Sequence, residues 1–380
     1  MPDAVIVSPL RTPIAKAPRG RLASVRPDDL IALMLRAVLA ATPALDPAQI
    51  DDVIVGCAFP EAEQGLNLGR TAALGAGLDA RVPGMTVNRF CASGLEAVAI
   101  AAERVRSGAC AAVLAGGVES MSRVPAAGFR PSPNPDWAAS HPEYYIGMGH
   151  TAEAVAERYA VGRAEQDAYA LESHARALRA IDGGRFAAET VPVPLPGGDL
   201  AVDEGVRRDT NAERLAQLRP AFREGGSVTA GNASQTSDGA AACLVVRDDL
   251  AARLGLLPLL QFRGYAVAGV EPELMGIGPV EAVPRALRVA GVALGEIDLI
   301  ELNEAFASQT LAVIQALGLD RALVNVNGGA IALGHPLGAT GARLVATLGH
   351  ELERRRGHYA LATMCIGGGM GAAAVFERAQ

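Results

Sequence analysis

Thr86-Val-Asn-Arg-Phe-Cys91-Ala-Ser-Gly-Leu-Glu-Ala-Val98 is the stretch from which the rest of the chain can be understood. A β-prone run, Met85 to Val87, leads towards Cys91, and a helical run follows from Ala92 to about Arg106. The small residues Ala92, Ser93 and Gly94 occupy the place where strand becomes helix. This arrangement puts a thiol at a helix N-terminus, among free backbone N–H groups. Such a position is expected to favour the thiolate of a side chain whose ordinary pKa is about 8.5. The same N–H groups are suited to an oxyanion. Taken by itself, the stretch reads equally well as a buried, inert cysteine ahead of a core helix.

Composition narrows the choice. A chain of 380 residues, half of them hydrophobic, can bury a large core spread over about two or three structural units. Aromatics are few while Ala and Gly are abundant, which suits close-packed helix–sheet layers. A formal charge of −7 argues against nucleic acid or an anionic membrane as bulk partner. Lys16 is the only lysine, and no glycine-rich loop carries it, so a Walker-type phosphate loop is excluded and a pyridoxal Schiff base is a poor reading. The five cysteines (57, 91, 110, 243 and 365) form no Cys-x-x-Cys pair, and no His-x-x-His spacing occurs. Neither a metal site nor a disulfide framework is expected; reduced thiols and a cytoplasmic location are. Residues Ala4–Val7 read as a strand rather than a secretory leader, no apolar run is long enough to span a bilayer, and the final Glu-Arg-Ala-Gln is no peroxisomal address.

Outward from Cys91, strands are expected at 4–7, 50–55, 85–87 and 111–116, alternating with helices at 27–41, 67–77 and 92–106. This predicts an α/β fold with a mostly parallel sheet. From Glu119 to about Asp238 the texture changes: prolines crowd 125–142, and two helices appear near 151–159 and 163–181. A strand at 240–246 closes this excursion. Beyond Pro258 the pattern repeats, with strands at 259–265, 298–302, 323–326, 359–363 and 372–376 and helices at 280–290, 305–317 and 339–354. Ile50-Asp-Asp-Val-Ile54 mirrors Ile297-Asp-Leu-Ile300, and Ser93-Gly94 opens one helix as Thr340-Gly341 opens its counterpart. The halves read as copies. The excursion occupies the place that the second copy fills with a tight turn, Cys365 to Gly371. Three parts follow: 1–118 with 239–256, an inserted block 119–238, and 257–380. Glycine-rich strand ends in both halves point to one shared site at that edge.

Three further motifs carry chemistry. Gly328-Gly-Ala-Ile-Ala-Leu-Gly-His335-Pro-Leu-Gly-Ala-Thr-Gly341 places a histidine in an apolar, glycine-rich loop entering a helix. A solvent-facing loop position is the better reading for His141, His174, His350 and His358. Cys365 ends a strand ahead of Gly367-Gly368-Gly369 and reads as a poised thiol, with a core cysteine as the alternative. Asn303-Glu-Ala-Phe306 sets polar residues at a strand end, where an N-cap is the plain explanation for Asn303.

Cys-Ala-Ser-Gly at 91–94, Gly-Gly-Val-Glu-Ser-Met at 116–121, Asn-Glu-Ala-Phe-Ala at 303–307, Gly-His-Pro-Leu-Gly-Ala-Thr-Gly at 334–341 and Cys-Ile-Gly-Gly-Gly-Met-Gly at 365–371 together closely resemble the thiolases, in order and over the whole chain. The resemblance implies the thiolase fold: two βαβαβαββ halves stacked as five α-β-α-β-α layers, with a loop domain inserted. It implies Cys91 as nucleophile carrying an acyl thioester and His335 as acceptor of its proton. Asn303 would hold a water in one oxyanion hole, and Cys365 would be the second acid/base. The N–H groups of Cys91 and Gly367 would form the other oxyanion hole. It also implies coenzyme A as a substrate rather than a resident cofactor, held by the insertion through Ser234, Arg207 and Phe222, with Met148 and Met275 lining the acyl and pantetheine pocket. The implied reaction is thiolytic cleavage of a 3-ketoacyl-CoA, as in fatty acid β-oxidation, by a homodimer or homotetramer.

Other readings differ at identifiable residues. An acetoacetyl-specific acetyltransferase is the alternative within the family, from which Gln235-Thr-Ser-Asp238 and Gly-Ala-Thr-Gly at 338–341 differ by their closer likeness to degradative 3-ketoacyl-CoA thiolases. A decarboxylating condensing enzyme of the same fold would carry His or Asn at position 365. A non-catalytic acyl-CoA-binding relative would have lost Cys91, His335 or Cys365. A Cys–His hydrolase leaves Cys365 and the insertion unexplained.

Overall fold

A computed structural model describes residues 2–379; Met1 and Gln380, the outer ends of the two expected halves, lie outside the described residues. The first half runs β1 (Ala4–Arg11), β2 (Ala15–Lys16), α1 (Pro27–Ala41), β3 (Asp52–Gly56), α2 (Leu68–Gly75), β4 (Gly84–Val87), α3 (Ser93–Arg106) and β5 (Ala112–Ser120). The excursion carries α4 (Pro135–Ser140), α5 (Met148–Arg158), α6 (Arg163–Asp182) and α7 (Ala212–Ala216), and β6 (Ser237–Arg247) returns beside β5. After α8 (Asp248–Leu254) the second half runs β7 (Pro258–Gly269), α9 (Gly278–Ala290), β8 (Ile297–Leu302), α10 (Ala307–Leu317), α11 (Ala330–Leu333), α12 (Leu337–Arg355), β9 (Tyr359–Ile366) and β10 (Met370–Arg378). Local signals set several ends. Pro27 occupies the first turn of α1 with Asp28 and Asp29 beside it, and Gly291 and Gly318 end α9 and α10 in the left-handed region.

The strands lie in the order β4-β3-β5-β6-β1-β7-β10-β9-β8, with β2 added on β6. Each half repeats one arrangement, and the halves join where β1 pairs with β7. The sheet is not mostly parallel as expected. Only β3–β4, β3–β5 and β8–β9 are parallel; the other pairs are antiparallel. The last strand of each half returns directly alongside its predecessor, which antiparallel pairing allows without a crossover helix.

Side chains alternate between layers. In β5, Ala112 and Leu114 face α1 and α2, while Val113 and Ala115 face inwards onto α3 and α12. The inner core also takes Phe262, Met364 and Phe376 from the second half, whose other face packs on α9 and α10 through Leu361, Ala373 and Val375. The layers therefore succeed one another as α, β, α, β, α. The central helices meet near their N-termini because two glycines let them. A Cβ on Gly94 would stand 2.7 Å from the Gly338 carbonyl oxygen, and one on Gly341 would overlap the backbone of Leu95. This crossing is what brings the end of one half against the end of the other.

Two local expectations fail. Helix α12 opens at Leu337, so Thr340 and Gly341 lie within its first turns rather than at its start. Residues 323–326 form no strand; a single bridge, Ile300 to Val324, stands in its place. Asn325 explains this. Its Oδ1 accepts the Leu302 N–H at 2.9 Å and its Nδ2 donates to the Leu302 carbonyl at 2.7 Å, so a side chain replaces the next rung of the ladder.

Candidate active site

Cys91 lies in a single 3-10 turn, Phe90–Ala92, directly ahead of α3. Ser93 holds that turn: its hydroxyl accepts the Arg89 N–H at 2.9 Å and donates to the Phe90 carbonyl at 2.6 Å. The backbone N–H groups of Gly367 and of Cys91 itself lie near enough to the Cys91 sulfur to favour its thiolate. The expected thiolate does not follow. Burial raises the thiol to about 11; the two N–H groups oppose it, and Glu119 pushes it further up. Desolvation by the surrounding layers outweighs the helix N-terminus, so the free protein holds a thiol.

Cys365 sits at the end of β9, 1% exposed, and is packed rather than poised. Burial first, and the neighbouring Cys91 second, raise its thiol. Gly367 opens the turn to β10, where Gly368 and Gly369 take φ of +81° and +83° that other residues rarely adopt. All five cysteines are free thiols.

Asn303 caps no helix; α10 begins four residues later, behind Phe306. Its backbone N–H donates to the Thr363 carbonyl at 2.9 Å, which ties the end of β8 to the Cys365 strand. Its amide Nδ2 lies 3.3 Å from His335 Nε2, and its Oδ1 finds no partner among the described residues. The other face of the ring is determined by Thr340. That hydroxyl donates to the Pro336 carbonyl at 2.9 Å, so it accepts from His335 Nδ1–H at 2.6 Å. Nε2 is left as a lone pair facing Asn303. Burial, with the Arg343 charge added, lowers His335 to about 3, so the imidazole is neutral. The other histidines differ from expectation in part: His174 is buried on α6 and His350 lies on α12, while His141 and His358 are exposed.

Sequence comparison agrees with this geometry. Residues 4–249 match the family model described as thiolase, N-terminal domain, and residues 256–378 match that described as thiolase, C-terminal domain. The chain belongs to the thiolase family. A 3-ketoacyl-CoA thiolase of Bacillus subtilis is 54% identical, with 99% of this chain and 100% of that one covered. An acetyl-CoA acetyltransferase of Pseudomonas aeruginosa is 47% identical over the whole of both chains. The crystal structure of the Bacillus anthracis acetyl-CoA acetyltransferase superposes with a TM-score of 0.91 at 41% identity, covering 100% of this chain and 99% of that one. This thiolase is therefore an acyltransferase by family.

Most of the residues expected to hold coenzyme A lie in or against the cluster that contains Cys365. Met148, at the start of α5, and buried Met275 pack with Ala305, Phe306 and Cys365. The Met148 sulfur lies 3.2 Å from where a Gly367 Cβ would stand. Phe222 meets Phe306 edge-on at 6.1 Å, and the Ser234 N–H donates to the Ala305 carbonyl at 2.9 Å. Arg207 is held differently, through its backbone N–H on His174 Nδ1 at 3.1 Å, and its guanidinium makes no ion pair among the described residues. Its neighbour Arg208 is tied to Asp182 instead.

Two buried carboxylates were present in the quoted motifs and were not singled out. Glu119 accepts from the N–H groups of Ala58 at 2.8 Å and Gly338 at 2.9 Å and from Gln64 Nε2 at 2.7 Å. It thereby clamps the start of α12 to the first half. Glu304 accepts from Tyr169 (2.9 Å), Ser173 (2.7 Å), Asn325 (2.9 Å) and the Ile331 N–H (3.2 Å), binding the excursion to the His335 loop. Burial raises both. The available signal was an acidic residue inside an otherwise apolar, small-residue run.

Proposed function

We propose that this protein catalyses the reversible, CoA-dependent cleavage of a 3-ketoacyl-CoA to acetyl-CoA and a shortened acyl-CoA. The observation that carries the reading is that the turn bearing Cys91 packs on β9, whose end carries Cys365 and whose Thr363 carbonyl holds Asn303 beside His335.

Because Cys91 is a thiol and His335 a neutral base whose Nε2 is unprotonated, attack and proton transfer go together. The Cys91 sulfur bonds to the 3-keto carbon as its proton passes to His335. The bond between C2 and C3 then breaks, and its electron pair leaves as the enolate of acetyl-CoA. The thiol of Cys365 protonates that enolate. Incoming CoA gives its thiol proton to Cys365 and attacks the acyl–Cys91 thioester, which releases acyl-CoA, and the departing Cys91 sulfur takes its proton back from His335. The N–H groups of Cys91 and Gly367 would stabilise the oxygen of the carbonyl under attack. His335, once protonated, would donate to the thioester oxygen of the departing unit. The unpartnered Asn303 Oδ1 supports its holding a water there.

On this reading coenzyme A is a substrate, with no resident cofactor and no metal. The block 119–238 would bind it through Ser234, Arg207, Phe222 and Met148, with Met275 of the second half lining the same pocket, between halves formed by 1–118 with 239–256 and by 257–380. The chain would work as a homodimer or homotetramer in the cytoplasm, in fatty acid β-oxidation. No helix among the described residues is long and apolar enough to cross a membrane. Acetyl-CoA acetyltransferase activity is the second reading, favoured by the acetyltransferase names of two of the relatives.

The test follows enolate absorbance of a series of 3-ketoacyl-CoAs. Loss that requires CoA and extends to longer chains is expected. Activity on acetoacetyl-CoA alone favours the second reading, and hydrolysis without CoA overturns both.

A further inference from the structure

Behind His335, α12 and β8 enclose buried charges that the chemistry above does not use. Thr340, Arg343 and Thr347 recur at three- and four-residue spacing, along one face of α12. Thr340 holds the His335 ring, Arg343 Nη1 donates to Glu301 Oε2 at 2.9 Å, and Thr347 donates to Glu189 at 3.1 Å. Glu301 lies near the end of β8, two residues before Asn303. Glu189 also accepts from Arg11 on β1, and Arg11 grips Asp203 through two further bonds of 2.7 and 3.0 Å.

The two buried arginines differ. Arg11 uses all three of its nitrogens. Arg343, 1% exposed, leaves Nε and Nη2 without a partner among the described residues, and Glu301 leaves Oε1 likewise. A buried ion pair with unmet donors and acceptors is a poor stabiliser, since apolar residues of similar size do as well or better. The pair's position, one helical turn from the residue that holds the catalytic ring, accounts for it better.

We propose that Glu301 and Arg343 are positioning residues for His335, a buried charge pair that sets how readily its imidazole takes a proton. The proposal rests on the reading of His335 as the base for Cys91. Arg343 is the charged group that acts on His335, whereas the one acting on Cys91 is Glu119. Burial raises Glu301 to about 8; Arg343 opposes this, and Glu189 and Glu304 add to it. Together with Arg11 and Asp203 beyond Glu189, these are the charges that face it. Below that pH Arg343 stands uncompensated and disfavours an imidazolium. Above it the Glu301 carboxylate cancels the arginine, and His335 becomes the stronger base.

Alkylation of Cys91 by iodoacetamide, followed by mass on the full-length protein at pH 6 and pH 9, tests this without any substrate. E301Q keeps the bond to Arg343 and loses only the charge. It should match wild type within about twofold at pH 6 and fall about tenfold behind at pH 9. E301D should restore the pH 9 rate. R343K should follow wild type, while R343Q should be faster than wild type at pH 6. Equal slowing of E301Q at both pH values, or no slowing at either, overturns the proposal. If this pattern appears but thiolytic turnover is absent, the substrate reading fails and the role of the pair stands.

Discussion

The two halves share a strand order yet supply different things to their common edge. In the first, β4 pairs fully with β3, from Val53–Gly84 to Gly56–Val87, and the chain passes through one short turn to Cys91. In the second, the matching position is one bridge at Val324, and the Asn325 side chain bonds to both backbone groups of Leu302. The same Asn325 reaches Glu304, which holds the Ile331 N–H in the loop before His335. A strand's worth of pairing has been replaced by side-chain hydrogen bonds, and the chain so released is the loop that carries the histidine. The first copy presents a thiol on a regular element, while the second presents a base on a loop held by buried polar groups.

This comparison is open to direct attack. Cys91→Ala should lower turnover by at least about 10⁴-fold and abolish any acyl adduct seen by mass spectrometry. Cys365→Ala should cost about 10²- to 10⁴-fold, yet leave Cys91 able to hold an acyl group from acyl-CoA. Equal loss of adduct in both would mean that the thiols do not divide the work. Asn303→Ala should lower kcat by about 10²- to 10³-fold, as loss of an oxyanion-hole group does, with unfolding midpoint little changed.

Stability separates the halves next. Asn325→Leu strands both Leu302 backbone groups and removes one of the two bonds to Glu304 Oε1, and should cost about 3 kcal/mol in urea unfolding. Thr86, on the regular strand of the first half, accepts the Gly69 N–H at 3.0 Å from a partly exposed site, so Thr86→Val should cost about 1 kcal/mol or less. Similar costs would refute the view that side chains took over the ladder in one half only.

A further effect concerns acid. His335 and His174 are lowered to about 3 and about 4 from an ordinary 6.5, by burial first and then by Arg343 and Arg207. The unfolded chain therefore binds these protons first. Stability is full above pH 6.5 and is lost as pH falls towards the folded values. His174→Asn should remove about 2 kcal/mol of that loss at pH 5, which a series of denaturant titrations would read.

Much of this was legible in the chain. Periodicity, the change of texture after Glu119 and the repeated Ile-Asp runs gave the element order and the duplication, because each signal is carried by residues close in sequence. The candidate site was legible as motifs, although Glu119 and Glu304 stood inside two of them unremarked. What they bind comes from four distant segments, and no local pattern records that.

The amino-acid order by itself determined the duplicated α/β plan, the place of the excursion and the residue types available for chemistry. Tertiary structure alone decided that most strand pairs run antiparallel, that Cys365 and His174 are packed, and that Cys91 rests as a thiol. The physical reason is common to all three. Helix and strand preferences act between near neighbours, whereas strand partnership and the desolvation that moves a proton depend on which remote segments close over a residue.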